Sequence, residues 1–373
     1  MRTGSGPADW PRLLPAEIAK VLGAWGLPGT RARVRWHSPR PLSAAAIIEL
    51  PDGPLFLKRH HFSVRTAAGL EEEHRFIMHL HQRGAAVCRI LPRTAGGTAE
   101  TQGEWTYELH ELGTGVDLYR DAVSWSPFTS QLHAVEAGRA LARLHRAARD
   151  YAAPERSADL LVSNERIVRA AQPLEVVREL LTPRPGLRRY LAGRDWERDL
   201  TAALQPFHAA YLAVAGELTP LWTHNDWHAS NLLWSAAGPT ARVSTVLDFG
   251  LSDRTSAVYD LATAIERNTI PWLDIHDGAP GPADLDLVSG LLTGYLDEAP
   301  LNQAERRALL AILPLVHVGY ALTEIDYFHG ITHSGDNADL AYEAFLLGHC
   351  HWFTDTAGQA LLTHIGDVLR VIP

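Results

Sequence analysis

Apolar and polar positions change period several times along this chain, and each change marks an element. Pro15 to Trp25 reads as a helix, with Pro15 in its first turn and Gly26 and Gly29 beyond its end. Strand-like runs follow at Arg33–Trp36, Ala44–Leu50 and Leu55–Lys58, the last two joined by the turn Pro51-Asp52-Gly53-Pro54. Helical spacing returns over Thr66–Arg83, where Leu70, Phe76, Ile77 and Leu80 form an apolar stripe closed by Gly84. Two more strands are expected, the second at Trp105–Leu109, before Gly113 and Gly115 lead into a mostly helical region from Val135–Arg149 to the last turns near Val368. The pattern predicts a bilobal α+β protein with a cleft: a small β-rich lobe with one main helix over residues 1–111, and a larger helical lobe over 112–373. No internal repeat is found.

Composition narrows the class. The 373 residues are 46% hydrophobic and 21% charged, enough for two sizeable cores. No signal-peptide segment and no run of about 18 apolar residues is recognised, so a cytoplasmic protein without membrane contact is expected. Two cysteines, Cys88 and Cys350, fit a reducing compartment and small buried roles. The net charge of −9 is uneven: residues 1–111 hold 14 Lys+Arg and 11 Asp+Glu, the rest 20 and 32. A first part at +3 suits a polyphosphate ligand, and a second at −12 argues against nucleic acid.

The chemistry is concentrated near the two-thirds mark. His224-Asn225-Asp226 is followed by Asn231, then by Asp248-Phe249-Gly250. Phosphoryl transfer needs a carboxylate to take the proton of the attacking hydroxyl, and an amide oxygen with a second carboxylate to hold Mg²⁺. Asp226, Asn231 and Asp248 offer those three groups. Between them, Leu232–Trp234 and Val243–Leu247 read as a hairpin around a turn over 235–240, which brings Asn231 and Asp248 together. Only two of the 34 basic residues are lysines, and Lys58 closes an apolar strand, where a compact ammonium suits the α/β-phosphates of a nucleotide. Glu73 shares the apolar face of its helix and is expected to hold Lys58, whereas Glu71 and Glu72 point away. His224 is expected to bond backbone near Asp248, His228 to donate to the γ-phosphate or else pack, Asp260 to accept backbone hydrogen bonds of the loop, and His145 to be a satisfied core histidine.

Taken together, Leu57-Lys58, Glu73, Leu141-Ala142-Arg143-Leu144-His145, His224-Asn225-Asp226 with Asn231, Asp248-Phe249-Gly250 and Asp260-Leu261-Ala262 resemble the aminoglycoside phosphotransferase and choline kinase type of small-molecule kinase. The resemblance runs over roughly Trp36 to Leu261. It implies a protein-kinase-like fold and transfer of the γ-phosphoryl of ATP, with GTP a possible donor, to a small-molecule hydroxyl: an antibiotic, or a metabolite such as homoserine, choline or a sugar. The nucleotide site then takes in Lys58, Glu73, Glu108 and His110, with Arg40 or Ser43 in the turn where protein kinases carry a glycine-rich loop. That turn contains proline and offers fewer free N–H groups. No Ala-Pro-Glu segment follows Asp248, which argues against a protein kinase. Trp272, Asp274 and Asp277, and Glu324, Asp326 and Tyr327, are candidates for an acidic, aromatic acceptor pocket suited to a cationic or sugar-like molecule, the alternative being solvated faces and core aromatics. Two rivals are a hydrolase whose metal sits on His224, Asp226 and His228, which leaves Lys58 and Asp248 unused, and a catalytically silent binding module.

Overall fold

The computed structural model describes residues 9–158, 160–278 and 281–371. Five strands, β1 (Arg33–His37), β2 (Ala44–Leu50), β3 (Gly53–His61), β4 (Ala99–Gln102) and β5 (Trp105–Glu111), form one antiparallel sheet in the order β1-β2-β3-β5-β4. The turn expected between β2 and β3 is tight: Leu50 pairs with Gly53, whose φ of 123° no β-carbon would tolerate easily. The strand carrying Lys58 runs further than its apolar stretch, to His61, because β5 pairs with it along its whole length.

Helix α1 (Pro15–Val21) continues as a 3₁₀ turn, Leu22–Trp25, and ends where Gly26 turns left-handed at φ 68°. Its Ile18, Val21 and Leu22 cover the sheet with Ile48, Leu57 and Leu109. Helix α2 (Ala67–Gln82) starts where Thr66 accepts a hydrogen bond from Gly69 N at 3.1 Å. Leu70, Glu73, His74, Phe76, Ile77 and Leu80 are its buried residues, as a helical stripe demands.

Beyond residue 111 the chain is mostly helical. Helix α3 (Gln131–Ala148) begins four residues before its expected start because Ser130 caps it. It packs along the helix Leu285–Glu298 at glycines: a β-carbon on Gly294 would overlap the Val135 carbonyl, and one on Gly138 the Leu291 carbonyl. Four short strands then frame the site. Strand β6 (Pro220–Thr223) pairs with β9 (Asp253–Ser256), and β7 (Leu232–Trp234) with β8 (Val243–Val246), the hairpin read from sequence. Helix α4 (Ala257–Thr269) follows β9 and is buried over nearly all its length. The Val87–Val246 bridge ties the hairpin to the chain after α2.

The helical run Gln303–Gly330, which includes α5 (Val318–Gly330), is long and apolar enough to cross a membrane, but 94% of its most apolar stretch is buried against the rest of the protein. Its hydrophobicity belongs to a core.

Candidate active site

The two small ladders place the chemistry. The β6·β9 pair ends at Thr223 and opens at Asp253, and the β7·β8 hairpin opens after Asn231 and closes before Asp248. Loops 224–231 and 247–252 therefore leave neighbouring ladders side by side, and Leu247 N bonds Asn231 O at 2.8 Å. Two residues here have left-handed backbone, Asn225 (φ 61°) and Asp248 (φ 54°), conformations that Asn and Asp tolerate best among residues with a β-carbon.

Buried partners hold this backbone. Asp260, the first acidic residue of α4, accepts hydrogen bonds from His224 N (2.9 Å), Asn225 N (2.8 Å) and His145 Nε2 (3.0 Å). Burial pushes its pKa up, yet the bond from His145 and the donors around it outweigh burial and hold it below the usual range. His224 donates from Nε2 to the Leu247 carbonyl (2.9 Å) and accepts from Asp226 N at Nδ1 (3.1 Å). With both ring nitrogens engaged, it has none to give a hydrolase metal. The expectations for His224, Asp260 and His145 match these contacts.

One cavity is lined by Arg40, Ser43, Lys58, Asp226, His228, Asn231 and Asp248, together with Trp125, Arg267 and Tyr320. Lys58 Nζ donates to Asp248 Oδ1 at 3.0 Å. Burial of the ammonium works against its charge, but Asp248 overrides this and its pKa lies above the ordinary value, while Lys58 in turn holds Asp248 well below. Asn231 Nδ2 donates to both the carbonyl and Oδ2 of Asp226, at 3.0 and 3.1 Å. Its amide nitrogen thus spent, Asn231 has its carbonyl oxygen to offer a cation, as Asp248 has Oδ2. His228 lies 3.6 Å from Asp226 and is pushed down to about 3 by burial and by Arg40, so it is neutral. Arg40 is steadied by Ser124 Oγ (2.7 Å) and the Ala122 carbonyl (3.3 Å).

Several expected site residues lie elsewhere. Glu73 is buried as predicted, but its ion-pair partner is Arg156, at 3.4 Å, not Lys58. Glu108, the cross-strand partner of Lys58, does not line the cavity and accepts from His60 (2.9 Å), His74 (2.7 Å) and His110 (2.8 Å), which also commits His110. Trp272 is buried and stacks on His349 with ring centroids 3.7 Å apart, while Asp274 and Asp277 are exposed. Asp326 accepts from Leu187 N (2.8 Å) at the start of a short helix, and Tyr327 donates to Asp9 (2.9 Å). Glu324 is fully buried and does not line the cavity. The acidic acceptor pocket assembled from these six does not form.

Arg267 was not foreseen. Its Nη1 bonds Asp226 Oδ1, and its guanidinium sits 5.2 Å from the Trp125 ring centre and 5.5 Å from that of Tyr320. The available signal was phase: Arg267 follows Asp260 by seven residues, two helical turns, and so shares its face.

A small β-sheet region and a helical remainder, with Lys58, Asp226, Asn231 and Asp248 around one cavity, are those of the kinase-like phosphotransferase class. Residues 44–308 match the model of the APH phosphotransferase enzyme family, and the chain belongs to that family, whose enzymes transfer phosphate to a hydroxyl acceptor. An uncharacterised protein of Deinococcus radiodurans is 27% identical over 279 residues, covering 72% of this chain and 70% of that one. Among solved structures, a microcompartment-associated aminopropanol kinase is similar with TM-score 0.61 and 18% identity, over 91% of this chain and 97% of that one. The ethanolamine kinase of Plasmodium vivax gives TM-score 0.59 and 12% identity, over 90% and 88%. These likenesses show the fold.

Proposed function

We propose that the chain transfers the γ-phosphoryl of ATP to a hydroxyl group of a small molecule in the cytoplasm. The observation that supports this best is the convergence of Lys58, Asp226, Asn231 and Asp248 on one cavity, reached from β3, the 224–231 loop and the residue after the β7·β8 hairpin. The donor set fits a nucleotide with its magnesium ion. Asn231 and Asp248 offer hard oxygen ligands, too few for a tight cage and enough for an ion shared with phosphates. Bound there, Mg²⁺ would neutralise charge on the transferred phosphoryl group.

The protein's own groups do the rest. Lys58 meets the α/β-phosphates, and Arg40 and Ser43 lie on the cavity wall at the turn before β2, where they close over the phosphate chain. Asp226 accepts the proton of the acceptor hydroxyl as its oxygen bonds to the γ-phosphorus and the bond to ADP breaks. Asn231 and Arg267 hold that carboxylate in place from two sides. His228, neutral and bonded to Ser230 at 2.9 Å, donates to the phosphoryl oxygens from Nε2 if Nδ1 accepts from Ser230. The acceptor enters between Trp125, Tyr320 and Arg267; amine-bearing alcohols, sugars, homoserine and hydroxylated antibiotics are the classes to screen.

The test is nucleotide-dependent ADP release over that panel, with ATP and GTP as donors. Asp226→Asn should abolish turnover on the best acceptor while nucleotide binding stays near wild type. Turnover retained within about tenfold would remove Asp226 from the role of base.

A further inference from the structure

Behind the Trp125 and Tyr320 rings that line the cavity, α4, the start of α5 and a later helix bring Glu266, His317 and His349 into a buried cluster whose residues do not line it. Glu266 Oε1 lies 2.9 Å from His349 Nδ1 and 3.3 Å from His317 Nδ1. Glu324 Oε2 lies 3.5 Å from His317 Nε2, and His276 Nε2 lies 3.2 Å from His349 Nε2.

The protein satisfies only part of this cluster, His349 through Glu266 and His276. Both nitrogens of His317 and both oxygens of Glu324 are buried without a hydrogen-bond partner. Orphaned buried polar atoms are rare in folded proteins and ask for an explanation. The His60–His74–His110 cluster around Glu108 is the contrast, since both Glu108 oxygens there are bonded. Charge makes the same demand. Asp226, Glu266 and Glu324 are buried carboxylates, and the one guanidinium among them, Arg267, bonds Asp226 and lies 3.8 Å from Glu266. Protonation of His317, which Glu266 and Glu324 favour against burial, offsets one of the two remaining negative charges and leaves one, and a buried unpaired charge is too costly to keep.

The spacing points to what supplies the positive charge. Zinc bonds of about 2.0–2.1 Å at the tetrahedral angle set neighbouring ligand atoms roughly 3.3 Å apart. The three ligand atoms here are within 4.8 Å of one another, with the two edges at Glu266 near that value. A ligating histidine also turns its second ring nitrogen to a fixed acceptor: His276 stands at hydrogen-bond distance from His349, and Glu324 is the carboxylate beside His317 Nε2, at 3.5 Å. We propose that Glu266, His317 and His349 bind one divalent transition-metal ion of the zinc class, with Glu324 and His276 orienting the two imidazoles. The ion neutralises the cluster and fixes α4 at the residue next to Arg267, hence next to the partner of Asp226. Nitrogen ligands separate this site from the all-oxygen pair Asn231 and Asp248.

Because all three ligands are buried, the ion enters as the chain folds. The full chain should therefore be purified without chelator, its metal content measured by mass spectrometry, and the protein refolded with Zn²⁺ or Co²⁺. The expected result is about one equivalent of metal per chain surviving gel filtration, with visible d–d bands of low-coordinate nitrogen-ligated cobalt. Glu266→Gln and His349→Gln should each lose that equivalent, and Asp248→Asn should keep it. If the cluster variants fail to fold, the cobalt spectrum of the wild-type chain decides alone. A wild-type chain that holds no stoichiometric metal after refolding with either ion, or folded Glu266→Gln and His349→Gln proteins that retain it, would overturn the proposal.

Discussion

Replacing Asp260 by Asn tests whether one buried carboxylate holds the catalytic loop. The side chain is fully buried; Oδ2 receives His224 N and His145 Nε2, and Oδ1 receives Asn225 N. Asparagine has the same shape but one acceptor oxygen. Placed at the Oδ2 position it keeps two bonds and turns an NH₂ group toward the Asn225 N–H, leaving that donor orphaned at a cost of about 1–3 kcal/mol. The two surviving bonds lose their charge assistance, about 1 kcal/mol each. The sum is roughly 3–5 kcal/mol, or a melting temperature lower by about 6–20 °C on the slope for domains of 150–250 residues, somewhat less for a longer chain. Activity should suffer more sharply. Asn225 stands at φ 61°, and once its N–H is unpaired the peptide can relax toward right-handed backbone and carry Asp226 with it. A displacement near 1 Å at a reacting group lowers kcat by about 10²-fold. Nucleotide KM should move little, since Lys58 reaches the cavity from β3. Thermal denaturation and coupled ADP-release kinetics read the two effects together. An Asp260→Asn protein with wild-type kcat would show that the loop keeps its shape without this carboxylate, and the reasoning would fail.

Lys58→Met should lower kcat/KM for nucleotide about 10²–10³-fold, the scale for removing one placed electrostatic partner, while melting stays close to wild type; unchanged nucleotide kinetics would refute the phosphate role. Arg267→Met should cost about 3–5 kcal/mol in chemical denaturation because Asp226 is left as a buried charge without its partner, and Asp226→Asn in the same chain should restore a large part of that; additive losses would deny the pairing. Acid should weaken the sheet region in two stages. Burial, the largest influence on His60, holds its pKa below 6.5 in the folded chain, so the unfolded chain binds the extra proton first and stability falls as pH drops below about 6.5. Glu108 is pushed up by burial but driven well below 4.5 by His110, His60 and His74, so its contribution is present above about 4.5 and vanishes as pH falls through the folded value. His60→Gln should abolish the upper stage only; a melting temperature flat from pH 7.5 to 5 in the wild type would contradict this assignment.

What could be read from the sequence was set by local period or by the fixed order of the family's motifs. The turn at Gly53, the helix after Thr66 and the hairpin between Asn231 and Asp248 follow from local period, and the loop-binding Asp260 from the motif Asp260-Leu261-Ala262. The misassignments needed a partner from far along the chain. Glu73 was placed on the right face of α2, but Arg156, 83 residues later in a stretch with no periodicity, reaches it and Lys58 does not. Asp326 reads as a free acidic group until a distant helix start, Leu187 N, is packed against it, and Glu108 gives no sign of the histidines at 60 and 74 that close over it.

The acceptor pocket failed for the same reason in a stronger form. Net charge counts carboxylates without regard to what each one faces. Of the acidic residues credited with drawing in a cation, Asp274 and Asp277 lie exposed away from the cavity, Asp326 caps a helix, and Glu324 is sealed beside His317. The charge that does meet the base is a single cation, Arg267, whose sign is opposite to that of the lobe carrying it. A buried residue acts at a few ångströms through a weakly screening medium, whereas exposed charge is screened over about 8 Å at physiological ionic strength. At this site the guanidinium bonded to Asp226 therefore acts more strongly than the net −12 spread over residues 112–373.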